Sequence, residues 1–405
     1  MIFTKLTTSE KVRFFFQMLP ALWIFSGLFL YDSDKDFATI CVIAVLFSLS
    51  KTTWDTIKNN VTNNRYTQLV IAAALLAIVT KLTVDMSSST LRILVAVALY
   101  TCFIQKRCIE FVQGNLINLV LLGALSSITY VSIQSLVFDK DRIEWTINAI
   151  PYTTFSASIS VIALYFFLFK DDKRTKVIGI LSYTMAIASI LMSGTRGTLL
   201  ASLVVGAILV TAFLIHHRQY LVRTIVALCF VGSISTFFAY DMVNARLEQT
   251  KNEIVAISQG KLNTSFGYRL SMWKAGLEIA KSPTLIGLGT SHLKVKQSLY
   301  EQGKVDASAV RFKHYHNEFI STMVTKGILG VISLLSLLGY PLYLYAKSRT
   351  QLSGIALSVT AVFSIAALTD VPLSQPHTLA FYLLLTSILM VRPQQPKNDA
   401  HHYAH

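Results

Sequence analysis

Long apolar runs separated by short polar turns recur along the chain. They lie near residues 14–31, 37–50, 66–84, 91–104, 112–137, 150–169, 177–194, 197–215, 222–240, 316–345, 353–369 and 377–391. A helix needs about 20 largely apolar residues to cross a bilayer, so the pattern predicts about twelve transmembrane helices. The second and fourth runs are short, and the tenth has room for an interfacial turn. The first, Phe14 to Leu30, follows Lys5, Lys11 and Arg13 as in a signal peptide but lacks a small-x-small cleavage site, and reads as a retained helix. One long hydrophilic interval, Asp241 to Tyr315, interrupts the series between the ninth and tenth runs. Within it Met242–Ile257 and Gly267–Ala280 have helical spacing, and Ser282-Pro283 stops the second. Leu270, Trp273, Leu277 and Ala280 form an apolar stripe suited to the membrane surface or the rim of the bundle. The expected organisation is one integrated membrane domain: spans over 1–240, a loop or lid over 241–315, spans over 316–391 and a tail over 392–405.

Composition agrees with packed helices in lipid. Of 405 residues, 53% are hydrophobic and 14% charged, with mean hydropathy +0.54, whereas soluble domains are about a quarter charged. The net charge of +15 comes without long basic runs, which argues against a nucleic-acid partner and for a membrane one. Its distribution gives the orientation, because short cytoplasmic loops are enriched in Lys and Arg. One alternate set of short loops and termini holds eighteen Lys and Arg, the other six. Both termini are therefore expected in the cytoplasm and the 241–315 loop outside. That loop carries a net charge of +5, which suits either an anionic ligand such as a lipid phosphate or simple proximity to anionic headgroups. The four cysteines form neither a disulfide framework nor a zinc spacing.

Four polar residues distant in sequence reach this outer side together: Arg196 after Ser193-Gly-Thr, Arg269 in the loop, His316 at the start of the tenth run and Asp370 at the end of the eleventh. Each taken alone fits an interfacial side chain that snorkels toward water. Together they suit a narrower chemistry. Two guanidinium forks can hold a diphosphate and stabilise its charge as it departs, and a histidine can take a proton from a hydroxyl. An aspartate can orient that histidine, bind sugar hydroxyls or cap a helix.

The same residues carry a resemblance. Arg196-x3-Leu200 within Ser193-Gly-Thr-Arg196-Gly-Thr-Leu-Leu200, and His316-x10-Gly327 within His314-Tyr-His316-Asn-Glu-Phe through Lys326-Gly327, look like the motifs of bacterial O-antigen ligases. Gly267-Tyr-Arg269-Leu-Ser-Met-Trp273, followed by Ser282-Pro-Thr-Leu-Ile-Gly287-Leu-Gly289, resembles the external-loop signature shared with O-antigen polymerases. The resemblance implies an all-α, GT-C-like polytopic fold of the inner membrane with a periplasmic site. It implies transfer of undecaprenyl-diphosphate-linked O-antigen to a sugar of lipid A-core, inverting and metal-free. His316 would be the base, Arg196 and Arg269 the diphosphate ligands, and Asp370 a supporting group. His314 is a rival base that matches the pattern less well. An O-antigen polymerase, with a second lipid-linked glycan as acceptor, is the nearest alternative. A transporter is the other class, although two repeated halves with midplane sites are not seen in the sequence.

Weaker signals complete the reading. Asp32, Asp34 and Asp36, or Asp139 and Asp141, offer oxygens to a divalent cation but also suit a bare external loop. Gly287-Leu-Gly289 lacks the third glycine and the preceding strand of a dinucleotide site. His401, His402 and His405 read as a polar tail.

Overall fold

In hydrocarbon every backbone amide must find a partner within the protein, which leaves the helix as the solution for runs of this length. The computed structural model describes residues 7–30, 34–142, 144–222, 248, 250–259 and 262–391. The helices among them are α1 (Thr8–Trp23), α2 (Asp34–Ser48), α3 (Thr53–Asn63), α4 (Arg65–Val84), α5 (Ser88–Phe103), α6 (Lys106–Gly114), α7 (Leu116–Ser132), α8 (Ala149–Phe169), α9 (Lys173–Ser193), α10 (Arg196–His216), α11 (Ser265–Ala280), α12 (His292–Glu301), α13 (Ala307–Arg311), α14 (Glu318–Ser348), α15 (Gln351–Ala367) and α16 (Pro376–Leu389). No strand occurs among the described residues. The chain is an all-α multi-pass membrane protein.

Every expected span except the ninth overlaps one of these helices. The ninth, residues 241–247 of the loop and the tail lie outside the described residues. Among the described residues seven helices are long and apolar enough to cross a membrane, and α5 with α6 makes an eighth candidate bent by 104°. Helices α2, α15 and α16, with 15, 17 and 14 residues, are shorter than a full crossing.

The centre of the bundle is α8, which packs against α7, α9, α10, α15 and α16. Its buried serines and threonines bond to neighbouring helices: Ser156 with Ser127 at 2.6 Å, Ser160 with Ser202 at 2.6 Å, and Thr153, which accepts from Thr198 at 2.9 Å. Small hydroxyl residues let helices approach closely and hydrogen-bond across the gap. Helix α16 is buried from His377 to Leu389.

Two short helices absent from the hydropathy pattern, α3 and α6, lie in loops rich in lysine and arginine. They close the ends of their neighbours, where carbonyls lack intrahelical donors. Asn60 of α3 donates to the carbonyls of Thr101, Cys102 and Ile104 at the end of α5, at 3.3, 3.0 and 2.8 Å. Gln113 of α6 donates to those of Ile388 in the last turn of α16 and Val391 just beyond it, at 2.8 and 3.2 Å.

The loop has its own small core of Met272, Ala275, Val305, Ala309 and Tyr315 against Val324 of α14. A second face of α11, beside the expected apolar stripe, meets this core. The helix packs through Met272, Ala275 and Gly276, while Leu277 is 57% exposed.

A break in α14 fixes the loop to the bundle. At 31 residues the helix would run about 46 Å, well beyond the roughly 30 Å of hydrocarbon. Gly327, at φ 67° and ψ −162°, interrupts it. The amides freed by the break donate to the loop instead, Ile328 to Thr284 at 3.1 Å and Leu329 to Leu285 at 3.0 Å, while Leu288 donates back to Val324 at 2.9 Å. A Cβ on Gly327 would stand 2.3 Å from the Thr284 oxygen, and one on Gly287 would stand 2.4 Å from the Lys326 nitrogen. Backbone meets backbone here, in a conformation that is essentially reserved for glycine.

Gly327→Ala should therefore release the loop, at a cost of about 1–3 kcal/mol in backbone strain before the clash is counted. The expected result is a lower melting temperature in detergent and faster tryptic cleavage at Lys281. An unchanged cleavage rate would contradict the docking described.

Candidate functional site

Each of the expected residues is positioned by the end of a helix. Helix α9 stops at Gly194 in the left-handed conformation, and α10 restarts at once with Arg196 in its first turn. Arg269 sits one turn into α11, where its Nε donates to the carbonyl of Thr369 at 3.3 Å. Its Nη groups make no hydrogen bond among the described residues and remain for a ligand. Asn317 caps α14 by accepting from the Ile320 amide at 3.0 Å, and its side chain donates to the Leu368 carbonyl at 3.1 Å. This corrects the expected start of that span. His316 precedes the helix and adopts a left-handed φ of 45°, with its carbonyl accepting from Trp273 Nε1 at 3.3 Å.

Arg196, Arg269 and Asp370 line one cleft of about 480 Å³. His316 adjoins it, with Nδ1 3.4 Å from Asp370 Oδ1; the pair is close but not aligned as a hydrogen bond. The Asp370 carboxylate also accepts from the Val371 amide at 2.8 Å. His314 is the next neighbour, its ring centroid 4.4 Å from that of His316. The donor atoms of His314, His316 and Asp370 all lie within 4.8 Å of one another, a spacing that one divalent cation could bridge. The arrangement thus joins a wide arginine-lined cleft to a carboxylate-backed imidazole. Such a site can bind an anion beside a group able to accept a proton.

Comparison with known proteins points the same way. Residues 180–335 match the O-antigen ligase family, a stretch that includes Arg196, Arg269, His314 and His316. The O-antigen ligase of Escherichia coli is 23% identical over 217 residues, 53% of this chain and 52% of that protein. An uncharacterised protein of Haemophilus influenzae is 26% identical over 203 residues, 49% of this chain and 50% of its own length. The exopolysaccharide production protein ExoQ of Rhizobium meliloti is 28% identical over 135 residues, 31% of this chain and 30% of that protein. The chain thus matches about half the length of the first two. The likeness is thus to the O-antigen ligase/polymerase superfamily, and the family match is confined to residues 180–335.

The superfamily motifs do not contain every residue of the site. Arg142 also lines the cleft, and its Nη1 donates to the Gly194 carbonyl at 3.0 Å. Only its place among the few basic residues of the outer loops marks it in the sequence. Thr250, Glu253 and Ile254 in the helical turns of 250–258, together with Phe266, form another wall of the cleft. The Asp34 carboxylate, one of the acidic residues considered for a cation, faces Arg92 at 3.7 Å.

Behind the histidines the loop buries three cationic or ionisable groups. Lys296 donates to the Phe312 carbonyl and lies over the Tyr315 ring, 4.9 Å from its centroid; burial lowers its pKa to about 8. His292 shares a 3.0 Å hydrogen bond with the Tyr315 hydroxyl, and burial, with Lys296 and His314 adding to it, lowers its pKa to about 4. His314 is lowered by burial and then by the charge of His316.

These shifts set a pH dependence for the loop. The unfolded segment takes up the His292 proton near its ordinary value of 6.5, while the folded one does so only near 4. Stability is therefore complete above about 6.5 and declines as the pH falls toward 4. Hydrogen exchange across 292–315 should accelerate over this window in the native protein and less in His292→Gln. Equal acceleration in both would remove His292 from the account.

Proposed function

We propose that the protein is an O-antigen ligase. In this reading it transfers O-antigen glycan from undecaprenyl diphosphate to a terminal sugar hydroxyl of lipid A-core, at the periplasmic face of the inner membrane. Both termini are cytoplasmic and 241–315 forms an external lid. The observation that carries the reading is the cleft of Arg196, Arg269 and Asp370 with His316 3.4 Å from Asp370. The family match and the ligase-named relative support it.

The chemistry follows from the side chains. Arg196 and Arg269 hold the diphosphate and meet the charge that grows on it as it leaves. With Nδ1 of His316 turned to Asp370, Nε2 is the nitrogen offered to the acceptor. The acceptor hydroxyl gives its proton to this imidazole as its oxygen attacks the anomeric carbon. The bond from that carbon to the diphosphate oxygen breaks, and its electron pair leaves with the diphosphate. Attack opposite the leaving group inverts the anomeric centre. Asp370 balances the imidazolium so formed, as a carboxylate does beside a catalytic histidine. No step requires a metal.

The test is transfer by purified protein from undecaprenyl-diphosphate O-antigen to lipid A-core. His316→Ala should lower the rate about 10²–10⁴-fold, whereas His314→Ala should leave far more of it. Arg269→Lys should cost about 10²-fold or more, because a point charge cannot replace the fork. Product formation should be indifferent to EDTA; inhibition reversed by a divalent cation would favour a metal held by His314, His316 and Asp370. Elongation of the lipid-linked glycan without core attachment would make the protein a polymerase. Intact export of glycan in cells carrying His316→Ala and Arg269→Ala would revive transport.

A further inference from the structure

A second cavity, of about 180 Å³, lies on the other side of the histidine pair. Its walls come from the start of α5, the turn at Gly289–Ser291, residues 313–315, the outer part of α14 and the segment after Asp370. Its polar lining includes Thr90, Thr290, Ser374, Lys313, Lys326 and His314, with no carboxylate among the lining residues. Resting on the ligase reading above, we propose that this cavity is the acceptor subsite, taking a sugar that carries an anionic substituent.

Three observations support the assignment. The first is continuity with the reacting centre. Asp370 lines the arginine cleft and the next residue, Val371, lines this cavity. His316, 3.4 Å from Asp370, stacks toward His314 at 4.4 Å, and His314 is a wall of the second cavity. The string Asp370, His316, His314 thus runs from one cavity to the other. A hydroxyl entering from one side meets a diphosphate-linked carbon held on the other at the imidazoles.

The second is chemical fit. Hydroxyl side chains, two imidazoles and two amines can exchange hydrogen bonds with a polyhydroxylated ring, and the amines add a preference for negative charge. Lys326 makes no hydrogen bond or ion pair among the described residues. The nearby Glu318 carboxylate attracts the Lys326 charge without touching it, and accepts from the amides of Leu373 and Ser374 at 2.7 and 3.2 Å and from the Ser374 hydroxyl at 2.6 Å. Lys326, Thr90 and Met86 also line a smaller, mostly apolar cavity among α4, α5, α14 and α16. Lys326 therefore stands where a polar ligand in the upper cavity would give way to apolar surface below.

The third is rigidity. Thr290 is tied to Asp85 through its amide at 3.2 Å and its hydroxyl at 3.3 Å, and Asp85 pairs with Lys81. Thr90 donates to the Ser374 carbonyl at 3.4 Å. These bonds fix the far wall to the bundle, so the lining is held in place before any ligand arrives, which lowers the entropy lost on binding.

The test uses the full-length protein in nanodiscs, with variants Lys326→Gln and the milder Lys313→Gln. Binding of lipid A-core without donor, and KM for acceptor and donor separately, are measured over a range of salt. Loss of a charged contact should weaken acceptor binding roughly tenfold or more, raise the acceptor KM to match and leave the donor KM within about twofold. The salt dependence of acceptor binding should also flatten, a change that a purely structural defect would not give. A rise in the donor KM instead, or unchanged acceptor binding in both variants, would overturn the subsite. If the wild-type protein ignores lipid A-core but binds undecaprenyl-diphosphate O-antigen at a second site weakened by Lys326→Gln, the subsite stands and the ligase reading falls.

Discussion

The structure turns on backbone amides that a broken helix must still satisfy. Where Gly327 interrupts α14, the donors of Ile328 and Leu329 lose their intrahelical acceptors, and the loop carbonyls of Thr284 and Leu285 replace them. In an apolar setting an unpaired amide costs several kcal/mol, so the loop is bound by need rather than by side-chain affinity. The residues on either side inherit that position. Helix α11 is carried onto α14, Trp273 reaches the carbonyl of His316, and Arg269 is brought to the end of α15 through Thr369. One backbone exchange thus sets the distance between the arginine cleft and the histidines.

How much of this the sequence discloses depends on the range of the interaction. Hydropathy locates the long helices because burial in lipid acts on each run separately. It misses α3 and α6, which are short and half polar, and whose purpose is to donate from Asn60 and Gln113 to carbonyls dozens or hundreds of residues away. It also leaves the core-facing side of α11 unread. Periodicity identifies an apolar stripe but not what covers it, and Met272 and Ala275 rather than Leu277 meet the loop core. Gly287 and Gly327 stand out as motif letters, yet their reason is steric and emerges only when two backbones are seen within contact distance.

The candidate site is legible in a similar, partial way. Charge counting puts Arg196, Arg269, His316 and Asp370 on one side of the membrane, since topology alone decides that. Their convergence is a tertiary fact: three line one cleft and the fourth touches the carboxylate of Asp370. Arg142 joins them through a bond to a helix-ending carbonyl, which no local pattern encodes. The second cavity is harder still, because its walls come from five separate stretches of chain and its members are ordinary threonines, serines and lysines.

Backbone strain marks the same region. Outside glycine, positive φ occurs among the described residues at Asp85, Asp139, His316 and Arg349. Asp139 and Arg349 end helical segments at exposed turns, where left-handed geometry is a common way to stop a helix. Asp85 also ends a helix, α4, but it and His316 both adjoin the cavities. Each of them costs of order 1 kcal/mol or more and persists only when its surroundings over-determine it. For His316 those surroundings are Trp273 on its carbonyl and the capping residue Asn317, bonded to Leu368, immediately after it. For Asp85 they are Lys81 and Thr290. The left-handed turn at 316 reverses the chain just before α14 begins, and so keeps the imidazole at the boundary of the two cavities, beside Asp370. A regular helical start would direct residue 316 along the axis of α14. The strain is thus explained by position: it holds the imidazole between the arginine-lined cleft and the hydroxyl-lined cavity, which unstrained continuation of the helix would not do.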